Sequence, residues 1–331
     1  MRATLLGRHK GKLLIVLAVL AIALLFSAWP AAAAPDTTYY IGFTSDVHSE
    51  TGNLQTWLNS LKSTTSTLNH MVFGGDYAGW TTAESCVSIL NHDDRYPGTP
   101  AVLVRGNHET STHDMLQAKG LVYNGPDYAI YALDNVTSEY GNGKFDLDEI
   151  ESLEEDLSAI PGTKPVFVAA HCPVHANGSR ITTNAAAFVE AVNAFPNAIV
   201  LWGHNHTVSD PGYGTVKKAG DKLVLTNGGP EVPINFTYAS FGAMKEGANK
   251  NTYGMLATIS KVSGDAKVDF VYKNLSGATV SSESITIPAF TGPGTVTPGT
   301  SPAALVNTNQ SSITSNSVTV AKDTLVLVTV A

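Results

Sequence analysis

From residue 38 the chain alternates between short apolar runs and longer stretches with apolar residues at helical spacing. TYYIGFTS (38–45), HMVFGGD (70–76), AVLVRGNH (101–108), YAIYALD (128–134), PVFVAAH (165–171) and NAIVLWGHNH (197–206) each close on polar or glycine residues. Each predicts a buried strand running into a turn. Between them, LQTWLNSLKSTTSTL (54–68) puts Leu54, Leu58 and Leu61 on one helical face, with Asn53 positioned to cap it. TAESCVSIL (82–90), LDEIESLEEDLSAI (147–160) and residues 184–194 also read as helices. Asp146 and Glu149 have the spacing of a capping box, with Asp in place of Ser or Thr. Strand–helix alternation of this kind predicts an α/β fold with a largely parallel sheet and helical crossovers. Later, KLVLTNGGP (222–230), TYGMLATIS (252–260) and AKVDFVYKN (266–274) predict strands with no long helix between them, and so a second sheet or an antiparallel extension. Residues 36–287 are read as one α/β domain.

Both ends depart from this pattern. MRATLLGRHKGK is basic, LLIVLAVLAIALLF (13–26) is apolar, and SAWPAAAAPD is rich in small residues. That three-part order is the pattern of a secretory signal peptide over 1–33, with cleavage near Ala33. The apolar run is shorter than the ~20 residues needed to span a bilayer, so no stable membrane anchor is expected once the leader is removed. Residues 288–302, PAFTGPGTVTPGTSP, read as a linker. The tail 303–331 alternates like β-strands in NSVTV and TLVLVTVA and is too short for a globular domain, so it is an edge hairpin or the stub of a further β-module.

The 331 residues are 43% hydrophobic and 15% charged, enough to bury a core. Loss of the leader removes four basic residues and no acid, taking the formal charge from −8 to −12. Such a surface does not favour nucleic acid or anionic membrane. An anionic substrate would need a local reversal of sign, which a metal supplies. Cys86 and Cys172 are too few for a zinc–thiolate site, and export permits a disulfide that spacing alone does not show.

The polar residues at the strand ends hold the chemistry. SDVH supplies Asp46 and His48, GGD supplies Asp76, GNHE supplies Asn107 and His108, AAH supplies His171, and GHNH supplies His204 and His206. Asp46 to Asp76, Asp76 to Asn107 and His171 to His204 are separated by 30, 31 and 33 residues, about one βαβ unit each. The groups therefore recur at the carboxyl edge of the strands, where open α/β sheets bind ligands. Any one of them alone would be an ordinary turn or core residue. Their recurrence in register points to a metal site, and imidazole with carboxylate suits Fe, Mn or Zn better than Ca. Gly75, Gly106 and Gly203 are placed to let the backbone turn where each ligand leaves its strand.

The set resembles the calcineurin-like metallophosphoesterases, whose blocks run D-x-H, G-D, G-N-H-[DE], H and G-H-x-H in that order. The resemblance covers about 44 to 206 and implies a two-sheet sandwich flanked by helices, the αββα fold. It implies two metals, one held by Asp46, His48 and His206, the other by Asn107, His171 and His204, with Asp76 bridging. It implies a water shared by the metals as nucleophile toward phosphorus, and His108 facing the substrate as charge stabiliser or proton donor. The implied substrate is a phosphorylated small molecule or a phosphodiester, and the implied activity is phosphoric ester hydrolysis. Purple acid phosphatases resemble G-D-x-x-Y at the second block, but here GDYAG puts Gly79 at that place, so no tyrosinate–iron colour is expected. The nucleotidase branch often carries N-H-E-F-D, whereas this chain reads NHETS.

Other residues are less telling. His175 reads as a loop histidine and Arg105 as either a substrate contact or half of a structural ion pair. Asn135-Val-Thr and Asn205-His-Thr match glycosylation triplets by pattern only. DLDEIESLEED (146–156) lacks the glycine and alternation of a calcium loop and reads as a solvated helix face. The competing function is a non-catalytic cell-surface module retaining the metal-binding fold. The intact ligand set argues against it.

Overall fold

The structure is a computed structural model describing residues 37–287, apart from 138–140, 179, 208, 211, 246–251 and 263. The signal-peptide, linker and tail readings lie outside the described residues. In chain order the elements begin with β1 (Tyr39–Thr44), α1 (Thr51–Leu61), β2 (His70–Phe73), α2 (Trp80–Leu90) and β3 (Ala101–Leu103). Next come β4 (Gly120–Asn124), β5 (Ala129–Ala132), β6 (Gly143–Lys144), α3 (Leu147–Ala159), β7 (Val166–Ala169), β8 (Thr182–Thr183), α4 (Ala185–Val192) and β9 (Ala198–Trp202). The remainder is strand: β10 (Val216–Lys217), β11 (Lys222–Val224), β12 (Glu231–Pro233), β13 (Thr237–Ser240), β14 (Gly242–Ala243), β15 (Tyr253–Val262), β16 (Asp265–Asn274) and β17 (Thr279–Ile287).

These strands form two main sheets. One runs β17-β16-β15-β1-β2-β3, with β14 paired to β15, and the other runs β10-β13-β9-β7-β5-β4. β1, β2 and β3 are parallel, as are β13, β9, β7 and β5. β15, β16 and β17 extend the first sheet as antiparallel hairpins, so the helix-poor end of the domain completes an existing sheet. The central parallel strands are buried throughout, which is why they read as unbroken apolar runs. Phe43, Val72, Ile130, Phe167, Val200 and Phe270 share the core between the sheets. The Phe43 and Phe167 rings lie 5.3 Å apart across it. α1 and α2 bury Trp57, Leu58, Leu61 and Cys86 in a second cluster with Met71 and Phe73. α3 and α4 meet on the other flank, where Phe188 of α4 stacks its ring on that of Phe145 at 4.1 Å. No helix among the described residues is long and apolar enough to cross a membrane.

Two helix-end readings need correction. The first helix stops at Leu61, not at residue 68, and Asn53 lies inside it, donating to the Met244 carbonyl at 2.9 Å. Ser60, Ser63 and Thr65 turn their hydroxyls onto nearby carbonyls, competing with the helical ladder. Asp146 makes no capping bond. Glu149 instead accepts the Asp134 amide at 3.0 Å.

His70 opens β2 with its Nδ1 2.7 Å from the Tyr128 hydroxyl and its ring 4.4 Å from that of Tyr123. Burial lowers its pKa. The unfolded chain therefore takes up the proton first as pH falls below about 6.5, and the folded state loses stability there. In His70→Gln the acid-side slope of unfolding free energy should be shallower, by at most about 1.4 kcal/mol per pH unit. Denaturant titrations from pH 7.5 to 5 test this, and parallel slopes would refute it.

Candidate metal centre

Asp46, Asp76 and Asn107 follow β1, β2 and β3 at one sheet's carboxyl edge, and His171 and His204 follow β7 and β9 at the other's. The two edges meet. His171 Nδ1 lies 2.7 Å from the Gly74 carbonyl, and the His204 amide donates to Asp46 Oδ2 at 2.9 Å. The SDVH and GGD loops are also joined, Asp46 N to the Gly75 carbonyl at 2.9 Å and His48 N to the Asp76 carbonyl at 2.7 Å.

All seven expected ligands and His108 are brought together. Single ligand atoms of Asp46, His48 and His206 lie within 4.8 Å of one another, as do those of Asp46, Asp76 and His171, and those of His48, Asp76 and His108. Like Asp46 and His48, Asp76 belongs to two of these three sets. Its Oδ1 is 3.3 Å from His171 Nε2 and accepts the His108 amide at 2.9 Å, while its Oδ2 is 3.9 Å from His48 Nε2 and 3.8 Å from His108 Nε2. Asn107 Oδ1 is 3.1 Å from His171 Nε2, and the His171 and His204 rings are 5.1 Å apart. His108 is the open member, its side chain 33% exposed. Cys172, between His171 and Pro173, groups with His171 and His204 within the same span. Both thiols, Cys86 and Cys172, are free and buried.

The backbone is bent to make this set. Asp46, His48, Asp76 and His204 have φ of 48°, 46°, 58° and 68°, a left-handed conformation that non-glycine residues adopt at some cost and that clusters at functional sites. The glycine reading is half right. Gly75 has φ 95°, but Gly106 and Gly203 do not need a positive φ. They are required because a Cβ at Gly106 would stand 2.1 Å from the Asp76 amide nitrogen, and one at Gly203 would stand 2.6 Å from Ser45 Oγ.

The electrostatics are those of a site short of positive charge. Burial, then the nearby Asp76 carboxylate, raises the Asp46 pKa. Burial lowers His48 to about 4, and burial with His171 and Arg180 nearby lowers His204 to about 3. Both rings are therefore neutral near pH 7, with lone pairs to give. Burial opposes charge on His171, but the facing Asp76 outweighs it and holds the ring at about 9. The same pairing pulls Asp76 well below the carboxylate range although burial works against it. Asp46 Oδ1, His48 Nε2, His204 Nδ1 and His206 Nδ1 are buried with no hydrogen-bond partner. Buried polar atoms left bare are rare, and carboxylate oxygens and neutral imidazole nitrogens are the donor set that a transition-metal cation takes. The residues fit the two-metal group.

Two supports escaped the sequence reading. Glu109, 1% exposed, accepts the amides of Asp76, Tyr77 and Gly106 at 2.9 Å and of Gly79 at 3.1 Å. It pins the GGD loop to the GNHE loop. Its one signal was the acid ending GNHE. Asp210, with no side-chain exposure, accepts Asn205 Nδ2 at 2.8 Å, Asn177 Nδ2 at 3.0 Å, the Gly212 amide at 2.8 Å and faces His175 Nε2 at 3.0 Å. Asn205 separates His204 from His206, and its Oδ1 takes Arg180 Nη1 at 2.7 Å. His175 is thus a buried member of this network, with Nδ1 2.8 Å from the Tyr238 hydroxyl, and not a surface loop histidine. Asn205 and Asn135 are buried with both amide atoms engaged, which removes them as glycan acceptors in the folded chain. Arg105 is an ion-pair residue, its Nε reaching both Asp134 oxygens at 3.0 and 3.1 Å.

The sequence model of the calcineurin-like phosphoesterase family matches residues 39–208. No curated protein matches the chain. Among solved structures, a conserved uncharacterized protein and predicted phosphoesterase from Streptococcus pneumoniae is 10% identical with a TM-score of 0.35, over 76% of this chain and 98% of that one. Vps29 from Chaetomium thermophilum is 11% identical with a TM-score of 0.37, over 76% and 99%. A 5'-nucleotidase precursor from Thermus thermophilus is 10% identical with a TM-score of 0.36, over 76% and 55%.

Proposed function

This chain belongs to the calcineurin-like phosphoesterase family, and on that premise we propose that it is an exported two-metal hydrolase of phosphoric esters. The observation that carries the reading is the convergence of bare, buried ligand atoms from both sheet edges around Asp76. Asp46, His48 and His206 would hold one cation, Asn107, His171 and His204 the other, and Asp76 both. Bound cations would supply Lewis acidity toward phosphoryl oxygens and lower the pKa of water. Binding through His171 would require loss of the proton that the facing Asp76 favours on that ring, so loading would release protons and weaken in acid. Export is supported by the leader pattern alone, and the mass of secreted protein, which should begin just after Ala33, tests it.

His108 has the exposure and reach to act on substrate. Water adds to phosphorus, the ester P–O bond breaks, and the departing oxygen takes a proton that His108 would provide. The test is hydrolysis of an aryl phosphate and an aryl phosphodiester by protein loaded with Mn, Zn or Fe. His108→Ala should lower turnover by roughly 10²–10⁴-fold with metal content unchanged. Metal binding without hydrolysis of any ester would instead identify a non-catalytic module.

Asp210 is assigned a positioning role, since it holds the residue between two ligands. Asp210→Asn turns a donor toward Asn205 and should weaken Zn or Mn binding about 10- to 100-fold in calorimetric titration. Unchanged affinity would reduce Asp210 to a fold residue.

A further inference from the structure

The two oxygens of Asp46 have different surroundings. The residue is buried on a left-handed φ of 48°. Oδ2 lies 2.5 Å from the Ser45 hydroxyl and accepts the His204 amide at 2.9 Å. Oδ1 is one of the bare, buried atoms of the centre. One oxygen is thus engaged by donors from loops of both sheets, and the other is offered to a cation.

Ser45 is itself buried, and its surroundings hold the hydroxyl where it is. Its one proton has two acceptors within reach, Asp46 Oδ2 and the Gly242 carbonyl at 2.7 Å. An ionised carboxylate is the stronger acceptor, and 2.5 Å is within the roughly 2.5–2.7 Å of a hydroxyl bonded to an anion. The Met244 amide donates to the Ser45 carbonyl at 3.1 Å and the Lys245 amide to the Asp46 carbonyl at 2.8 Å, so residues 242–245 lie along the SDVH loop. From the other sheet the GHNH turn closes in at Gly203, where a Cβ would stand 2.6 Å from Ser45 Oγ and 3.1 Å from Asp46 Oδ2. Turning the Asp46 carboxylate would leave the Ser45 hydroxyl and the His204 amide without this acceptor, and a buried donor left unpaired is costly. The orientation has a chemical consequence. A carboxylate free to turn can give a cation both oxygens, which fills a place that water or substrate needs on a catalytic metal.

We propose that Ser45 is a positioning residue. With the His204 amide it holds Asp46 Oδ2, so that Asp46 binds the cation it shares with His48 and His206 through Oδ1 alone and leaves a place open on that cation. The proposal rests on the two-metal reading and adds a residue to it. Calorimetric titration with Zn or Mn, read as two binding steps, compares the wild type with Ser45→Ala. The variant should weaken one step about 10- to 100-fold and leave the other nearly unchanged. Loaded with cobalt(II), it should also change the visible absorption bands, which follow coordination geometry and which a purely structural role would not move. Unchanged affinities, equal losses in both steps, or cobalt bands like those of the wild type would each overturn the assignment. A crystal structure of the zinc-loaded wild type tests it without a variant. Asp46 Oδ1 should lie about 2.0–2.2 Å from zinc, with Oδ2 still on Ser45. Zinc held by both oxygens would overturn the proposal and leave the phosphoesterase reading standing. If the wild type binds no cation, the two-metal reading itself falls, and this proposal with it.

Discussion

Asp76→Ala should lower the rate of aryl phosphate hydrolysis by at least about 10³-fold, the scale for removing a central preorganised electrostatic group. It is singled out because its carboxylate lies between the two halves of the ligand set, 3.3 Å from His171 on one side and 3.9 Å from His48 on the other. Its loss also removes the compensating charge for His171, whose ring should fall from about 9 toward the value its burial favours. Metal content should drop with the rate, because five neutral donors then face two dications with Asp46 as the one remaining carboxylate. Metal analysis and steady-state kinetics on the same preparations check the expectation. A variant that keeps both its metal and its rate would refute the bridging role.

Glu109→Ala should cost about 4 kcal/mol of stability, a large value tied to a definite cause. The side chain is buried, and truncation leaves the amides of Asp76, Tyr77, Gly79 and Gly106 without their acceptor. Two of these amides flank the left-handed φ of 58° at Asp76, so the loop that most needs support would lose it. Chemical denaturation of the metal-loaded protein measures the effect. A loss below about 1 kcal/mol, the worth of one ordinary hydrogen bond, would mean that water replaces the carboxylate without penalty. Glu109→Gln separates charge from shape: it keeps one acceptor oxygen and should fall between the two.

The buried strands and the candidate ligands at their ends were legible for a definite reason, while the two-sheet sandwich was implied by the family resemblance. Parallel strands buried on both faces write themselves as unbroken apolar runs, and the chain turns polar where each one ends. Asp46, His48, Asp76, Asn107, His171, His204 and His206 therefore stood out as strand-end residues before any contact was known. Helix ends were read less well. Asn53 and Asp146 have cap-forming side chains, but Asn53 bonds to Met244 and Asp146 makes no cap, so local propensity yielded to tertiary partners. Glu109 and Asp210 were passed over because an acid that binds distant amides carries no local signature. The amides of Asp76, Tyr77 and Gly79 are about thirty residues from Glu109 and reach it only because β2 and β3 pair in parallel.

Order along the chain was thus sufficient to pick out the type and sequence of the candidate ligands, since apolar periodicity and turn chemistry are written within a few residues. Packing alone determined that the two sheet edges converge, that Arg105 is committed to Asp134, that Asn135 and Asn205 are internal, and that Ser45 and the His204 amide meet on one Asp46 oxygen. Each of those facts depends on groups far apart in the chain becoming neighbours, and it is burial in the folded core that makes their charges and bare hydrogen-bonding atoms count.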